Sequence, residues 1–287
     1  MNVLDLKIGI WTEDDSHTRG FYSKIDGLLK VMEKRKISSG RWQDNIDYDV
    51  VINWDPYPNI KRGKLLTIAW VWDTYRITLS PQTGIGTFNL LFRAHATFYH
   101  PEGVDPRGIP TYWMPPAVDP EVFKTDPSIA KEYDIVWVAQ GRPCPERKII
   151  EKHFKFLDAG CHLQYNEYVK VMNQGKIIWN KPVALETNKR VMEAMAVGPT
   201  LMPWGPDYSL LAIPDFHFIS YPPAFKYEDS FKYPEEDEKI LLDKLHYYLS
   251  NPDKLEAIGK ESRLLIERQF TFDKQLDRIL QILRRHL

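Results

Sequence analysis

The stretch YDIVWVAQGRPCPERKII, residues 133–150, decides the fold class. Its first seven residues are apolar apart from Asp134, the pattern of a strand buried on both faces in a parallel sheet. Gly141 then allows a tight turn, and Pro145 suits the first turn of a helix. A strand, a glycine turn and a helix beginning afresh near mid-chain predict a second βα domain.

Toward the N-terminus the same alternation is already present. Lys7–Trp11 (KIGIW) reads as a strand, followed by the polar loop TEDDSHTR. Phe21, Ile25, Leu28, Leu29 and Met32 recur at helical spacing and predict one amphipathic face. Asp49–Asn53 (DVVIN) and Leu65–Trp72 (LLTIAWVW) read as buried strands, and Phe88–His100 as a helix leading into a short strand. Met114–Ser128 (MPPAVDPEVFKTDPS) is rich in proline and acid and reads as an interdomain linker.

Toward the C-terminus the expectation is a helix over Pro145–Leu157, a strand over Lys176–Trp179, a helix over 188–197 and a strand over Thr200–Met202. Gly198 and Pro199 end the 188–197 helix. Three helices follow, around 236–249, 253–268 and 273–286. Leu276, Ile279, Leu280, Leu283 and Leu287 share a face of the last, which is expected to return to the first domain. The expected organisation is a Rossmann-like domain over 1–120, a second over 121–270, and a returning helix over 271–287. Two such domains facing a cleft bind ligands beyond the carboxyl ends of their strands. Function is therefore sought after Trp11, Asn53, Trp72, Ala139 and Trp179.

Composition narrows the classes. The 287 residues carry 38 Lys plus Arg against 39 Asp plus Glu, so no global field marks a nucleic-acid or membrane binder. Two cysteines, Cys144 and Cys161, exclude a disulfide framework and a cysteine-rich zinc site. No apolar run approaches membrane-spanning or signal-peptide length. The expectation is a cytoplasmic enzyme without a membrane span.

Two helix starts carry misplaced charge. Lys189 and Arg190 open the 188–197 helix, and Arg142 and Arg147 flank the turn before the 145–157 helix. Cations at a helix N-terminus oppose its dipole, whereas an anion such as phosphate completes it. Arginine forks also match phosphate oxygens bidentately. Arg190 and Glu193, three apart, share a helix face; they form either a surface ion pair or a phosphate and ribose grip. Arg142 and Arg147 are either phosphate ligands or solvated arginines, with Glu146 as a partner.

Here the residues reach a family resemblance. GRPCPER resembles the G-R-L-x-P-E-K turn of retaining GT-B glycosyltransferases of the family-four type, and EAMAVGPTLMP is similar to their E-A-M-A-x-G-x-P-V segment. TNKRVMEAMAVG is closer to the N-x-R-x-x-E-A run of spore-maturation (CgeB-type) glycosyltransferases. PPAVDPEVFK resembles the G-V-D-x-x-x-F interdomain segment of both groups, and ERQFTFDKQLDRIL their closing helix. AWVWDTYR looks like the W-x-x-D-x-P stretch of CgeB-type proteins.

The resemblance implies an α/β GT-B fold and transfer of a sugar from a nucleotide-diphosphate donor to an acceptor hydroxyl. It implies that Gly141, Arg142 and Arg147 face the donor diphosphate and that Glu193 holds the ribose. Thr187, Asn188 and Arg190 complete the donor-side set. One position departs: the second glutamate, eight before Glu193, is Leu185 here, and Glu186 is one residue out of register. Asn188 and the backbone around Thr187 are the candidates to replace it.

Catalysis would need cations at the leaving diphosphate, supplied by Arg142, Arg147 and Arg190, so no metal cofactor is expected. The expected mode is retaining. Asp73 is the best-placed carboxylate on the acceptor side, with Asp14, Asp15 and His17 after the first strand; any could orient or deprotonate a hydroxyl. Asp14 and Asp15 read first as N-cap or solvated loop residues, and Asp73 equally as a cap. Asp47-x-Asp49 reads as a turn before a strand rather than a metal site, and His95 and His100 share no helical face.

The acceptor side carries basic clusters at Lys34, Arg35 and Lys36, at Arg41, and at Lys61, Arg62 and Lys64, interleaved with acids. They read as a solvated surface or as a track for an anionic polymer, including DNA with hydroxymethylated bases; a polysaccharide is the other polymeric acceptor. The competing functions are a GT-B nucleotide-sugar isomerase and a non-catalytic nucleotide-sugar binding protein.

Overall fold

A computed structural model describes residues 2–12, 24–54, 60–71, 88–94, 102–104, 108–139, 144–160, 163, 165–181, 187–205, 210–223 and 232–287. These fall into two compact units, one built from the chain up to Ala117 together with Thr271–Leu287, the other from Val118–Phe270.

The first unit is a seven-stranded sheet. It comprises β1 (Ile8–Thr12), β2 (Ser39–Arg41), β3 (Val50–Trp54), β4 (Leu66–Val71), β5 (Leu90–Arg93), β6 (Glu102–Val104) and β7 (Pro110–Trp113), in the order β2-β1-β3-β4-β5-β7-β6. All neighbours run parallel except β6 and β7. Every residue of β3, β4 and β5 is buried, as near-continuous apolar runs require when both faces are covered.

Ile25, Leu28 and Met32 of α1 (Lys24–Lys34) enter that core, and the last helix of the chain, Phe272–His286, adds Phe272, Leu276, Ile279, Leu280 and Leu283. The returning helix therefore belongs to the first unit. Leu287, expected on the same face, is 38% exposed. A Cβ on Gly27 would lie 2.2 Å from the Phe272 ring, so only glycine lets α1 approach this helix so closely.

One expectation fails here. Phe88–His100 is not a helix at its start, because Leu90–Arg93 is the strand β5; its run LLFR is as consistent with a buried strand as with a helix turn. Residues 95–100, including His95 and His100, lie outside the described residues.

The second unit is a five-stranded, wholly parallel sheet of β8 (Tyr133–Trp137), β9 (Phe156–Asp158), β10 (Gly175–Trp179), β11 (Thr200–Pro203) and β12 (Ile219–Tyr221), ordered β12-β11-β10-β8-β9. Its described helices are α2 (Pro145–His153), α3 (Tyr165–Gln174), α4 (Lys189–Val197), α5 (Glu235–Ser250) and α6 (Pro252–Gln269), with the Phe272–His286 helix as α7. The helix expected to reach Leu157 stops at His153, since Phe156–Asp158 pairs beside β8. Ile149 and Ile150 of α2 join Trp137, Trp179, Leu201, Leu241, Leu245 and Ile258 in one core. No described helix is long and apolar enough to cross a membrane.

The proline-rich Met114–Ser128 segment is packed rather than loose at its start. Met114, Ala117 and Val118 are buried. Gln275 donates to the Pro115 carbonyl at 2.9 Å, and the Val118 amide to the Phe270 carbonyl at 2.9 Å. Further along, Phe123 is buried and Asp126 N donates to Asn173 Oδ1 at 2.8 Å.

Candidate functional site

Of the residues singled out from sequence, Arg147, Thr187, Asn188, Arg190 and Glu193 lie among the described residues. Asp14, Asp15, His17, Asp73, Gly141, Arg142, Leu185 and Glu186 lie outside them.

Four of the described set, Thr187, Asn188, Arg190 and Glu193, lie together in the second unit at the start of α4, and Arg147 lies on α2. Asn188 is extended at φ −95° and ψ 168°, and its side chain accepts from Val191 N at 3.1 Å. It is thus an N-cap, satisfying one of the orphan donors of the first turn. Its carboxamide oxygen is committed to the backbone, which weakens Asn188 as the replacement for the missing glutamate. Thr187, just before it, is fully buried.

Glu193 lies one turn into α4 and is 5% exposed. Lys189 Nζ sits 3.0 Å from its Oε1, and the Tyr168 hydroxyl donates to its Oε2 at 2.8 Å. The ion pair that forms is with Lys189 at i,i+4, in place of the expected pairing with Arg190 at i,i+3. The Arg190 charge acts on the Tyr168 phenol in the opposite sense to Glu193. Burial, and then the charge of Glu193, push the Tyr168 phenol well above its ordinary range. It is therefore a neutral O–H donor throughout the physiological range.

The surplus positive charge at the α4 start is thus answered in part by a carboxylate of the same helix. Each Glu193 oxygen keeps a lone pair beyond the bond it accepts, because an ionised carboxylate offers about four acceptor sites. The cluster is a charged, nearly dry carboxylate fixed from two sides.

The start of α2 carries a different arrangement. Cys144 holds the N-cap position without a side-chain cap, and burial, then Glu146, push its thiol up to about 11. Arg147 Nε donates to Glu151 at 2.8 Å, and its Nη2 lies 3.0 Å from Asp158 Oδ2 on β9. The guanidinium also lies 5.6 Å from the Trp137 ring centroid. Glu146 does not partner Arg147. It reaches Lys181, two residues beyond β10, at 2.5 Å, with both side chains 1% exposed or less.

Sequence reasoning missed Tyr168, Lys181 and Asp158. Tyr168 belongs to none of the motifs, although Tyr165, Tyr168, Val169 and Met172 of α3 recur at helical spacing. Asp158 ends β9 and Lys181 lies two residues beyond β10, the one signal that could have drawn attention to them.

Acids of the first unit pair with four of the seven residues in the basic clusters. Arg35 contacts Asp273 and Asp277 on α7, Arg41 contacts Asp26, Lys61 contacts Asp44, and Lys64 contacts Asp47, at 2.5–3.0 Å. Asp49 accepts from Lys7 N at 2.9 Å. Asp47 is thus committed to an ion pair and Asp49 to a strand entry. Among the described residues no group of three or more His, Cys, Asp or Glu side chains is placed to hold a metal.

Residues 148–281 match a family model described as "Glycosyl transferase-like". No curated protein matches the sequence. Solved structures match over nearly the whole chain. The Anabaena protein Alr3699/HepE, in complex with UDP and glucose, aligns at a TM-score of 0.61 and 10% identity, over 97% of this chain and 99% of its own. An alpha-glucosyltransferase in complex with UDP and a 13-mer DNA containing an HMU base aligns at 0.63 and 9% identity, over 98% and 100%. Sucrose-phosphate synthase from Thermosynechococcus elongatus aligns at 0.56 and 10%, over 83% and 73%. The chain has the GT-B fold of glycosyltransferases, and carries their transferase-like sequence over residues 148–281.

Proposed function

We propose that the protein is a glycosyltransferase that moves a sugar from a nucleotide-diphosphate donor to an acceptor hydroxyl, with retention and without a metal. The observation that carries this reading is the buried Glu193 carboxylate at the α4 start, in the segment matching the glycosyl transferase-like family model. A carboxylate beside a helix N-terminus suits a ligand joining a vicinal diol to phosphate: the diol donates to the carboxylate, and the phosphate meets the backbone N–H groups.

In this reading the second unit holds the donor and the first the acceptor. Glu193 accepts from the ribose hydroxyls. Arg190, with Arg142 and Arg147, stabilises the charge that develops on the leaving diphosphate, and Gly141 faces it. Thr187 and Asn188 shape the first turn of α4. Asp73, with Asp14, Asp15 and His17, forms the acceptor side. Uridine is the proposed base, because two neighbours of the same fold carry UDP. With retention, the acceptor enters on the leaving-group face and no protein nucleophile is needed.

The proposed acceptor is a carbohydrate polymer. Four of the seven basic side chains of the first unit that would follow a DNA backbone, Arg35, Arg41, Lys61 and Lys64, have carboxylate partners, and a phosphate track needs cations able to displace counterions. Hydroxymethylated DNA is the competing acceptor, in view of the DNA-bound neighbour. We place the protein in the cytoplasm on the same reading.

A screen of UDP-sugars against oligosaccharide and hydroxymethylated-DNA acceptors, read by UDP release and product mass, tests this. UDP release that requires an oligosaccharide supports the full reading. Release that requires modified DNA, and falls steeply with salt, moves the acceptor to nucleic acid. Sugar conversion without acceptor would make the protein an isomerase, and binding without any turnover would make it a carrier.

A further inference from the structure

We propose that Tyr168 is the positioning residue of the ribose grip, and that it ties the Val118–Phe123 segment to Glu193. The proposal rests on the reading of Glu193 as the ribose carboxylate. Tyr168 lies on α3, outside every recognisable motif, and is 3% exposed. Its hydroxyl donates to Glu193 Oε2 at 2.8 Å. Its ring meets Phe123 edge-on, with centroids 6.0 Å apart and planes at 77°. Phe123 itself is 1% exposed.

Three features turn this contact into a positioning device. The phenol is a fixed donor with no other side chain between it and the carboxylate, so it sets the rotation of the carboxylate plane. The edge-on aromatic pair removes ring freedom, since T-shaped contacts are a preferred geometry of buried rings. Lys189 holds the other oxygen at 3.0 Å, so the carboxylate is oriented from both ends before any ligand arrives. A preorganised acceptor loses less freedom on binding than a mobile one. Phe123, the last residue of AVDPEVF, thereby acquires a role: it braces the ring that aims the carboxylate.

The test compares binding of UDP with binding of 2′,3′-dideoxy-UDP. Wild type should prefer UDP, and Tyr168→Phe, which keeps the ring and the Phe123 contact, should lose about tenfold of that preference, the scale of one hydrogen bond to a charged group. Its affinity for the dideoxy analogue should stay within twofold of wild type. In a Glu193→Gln background the same substitution should change the preference no further. A purely structural tyrosine would weaken both ligands equally, and that result overturns the proposal. So does a Tyr168→Phe variant with unchanged preference. If wild type itself does not distinguish the two ligands, the ribose reading of Glu193 fails and the proposal fails with it. Should Tyr168→Phe not fold, Phe123→Leu loosens the ring while keeping the hydroxyl, and an unchanged preference there overturns the proposal equally.

Discussion

The starts of α2 and α4 pose the same electrostatic problem and answer it differently. Both place basic side chains where the helix dipole disfavours them. At α2, Arg147 is about a third exposed, with partners Glu151 and Asp158 at 42% and 18%. At α4, Lys189 and Glu193 are 13% and 6% exposed, and Tyr168 closes the far side. A pair bathed in water can exchange partners at little cost. A pair this dry cannot, because removing one member leaves a charge with poor solvation. The α2 start is therefore suited to take up and release an anion, and the α4 start to keep one carboxylate in a fixed place. On the proposed function, a leaving diphosphate would use the first and a ribose the second.

The largest expected effect breaks the dry side of α2. Glu146 and Lys181 are buried together at 2.5 Å, and removing one partner of such a pair costs about 3–5 kcal/mol. Lys181→Met should lower the urea midpoint accordingly. The double variant Glu146→Leu with Lys181→Met should recover part of the loss, because the partner left behind by the single change is removed as well. A single variant as stable as wild type would show that the pair is not dry, and the contrast between its two faces would collapse.

Next is the ribose side of the comparison. Glu193→Gln should weaken UDP and uridine alike, by about 1.5–3 kcal/mol if the hydroxyl bonds are to a charged acceptor. Arg190→Ala should weaken UDP and leave uridine unchanged. Isothermal titration of both ligands on both variants separates the roles. Equal losses for the two ligands in Arg190→Ala would move that arginine away from the diphosphate.

How far these roles were legible in the sequence follows from the range of each interaction. Strand and helix type came through where runs were long: the βα alternation, α1, the three closing helices and the return of α7 are all periodic patterns. β5 was misread because four apolar residues fit either period. Asn188 as a cap is readable as a polar residue directly before a helix. The partners were not readable. Glu146 with Lys181, Arg147 with Asp158 and Tyr168 with Glu193 are contacts between different elements, and which carboxylate meets which cation is decided by sheet order. Sequence therefore located the charges and left their pairing open.

The smallest effect is the most discriminating for the α2 start. Glu151 and Arg147 form an i,i+4 pair at 2.8 Å on a partly exposed helix face, worth about 0.3–0.5 kcal/mol. Glu151→Gln should lower stability by no more than that, a shift near the resolution of a thermal melt. It should at the same time strengthen UDP binding, because the guanidinium loses a competing anion while Asp158 still holds it 3.0 Å away on β9. The gain should vanish for uridine, which carries no phosphate, and should shrink in high salt as the exposed charges are screened. Tighter UDP with unchanged uridine would place Arg147 at the diphosphate. If UDP affinity does not move, Arg147 serves only to pin α2 to β9, and the exchangeable anion site must be built by other residues.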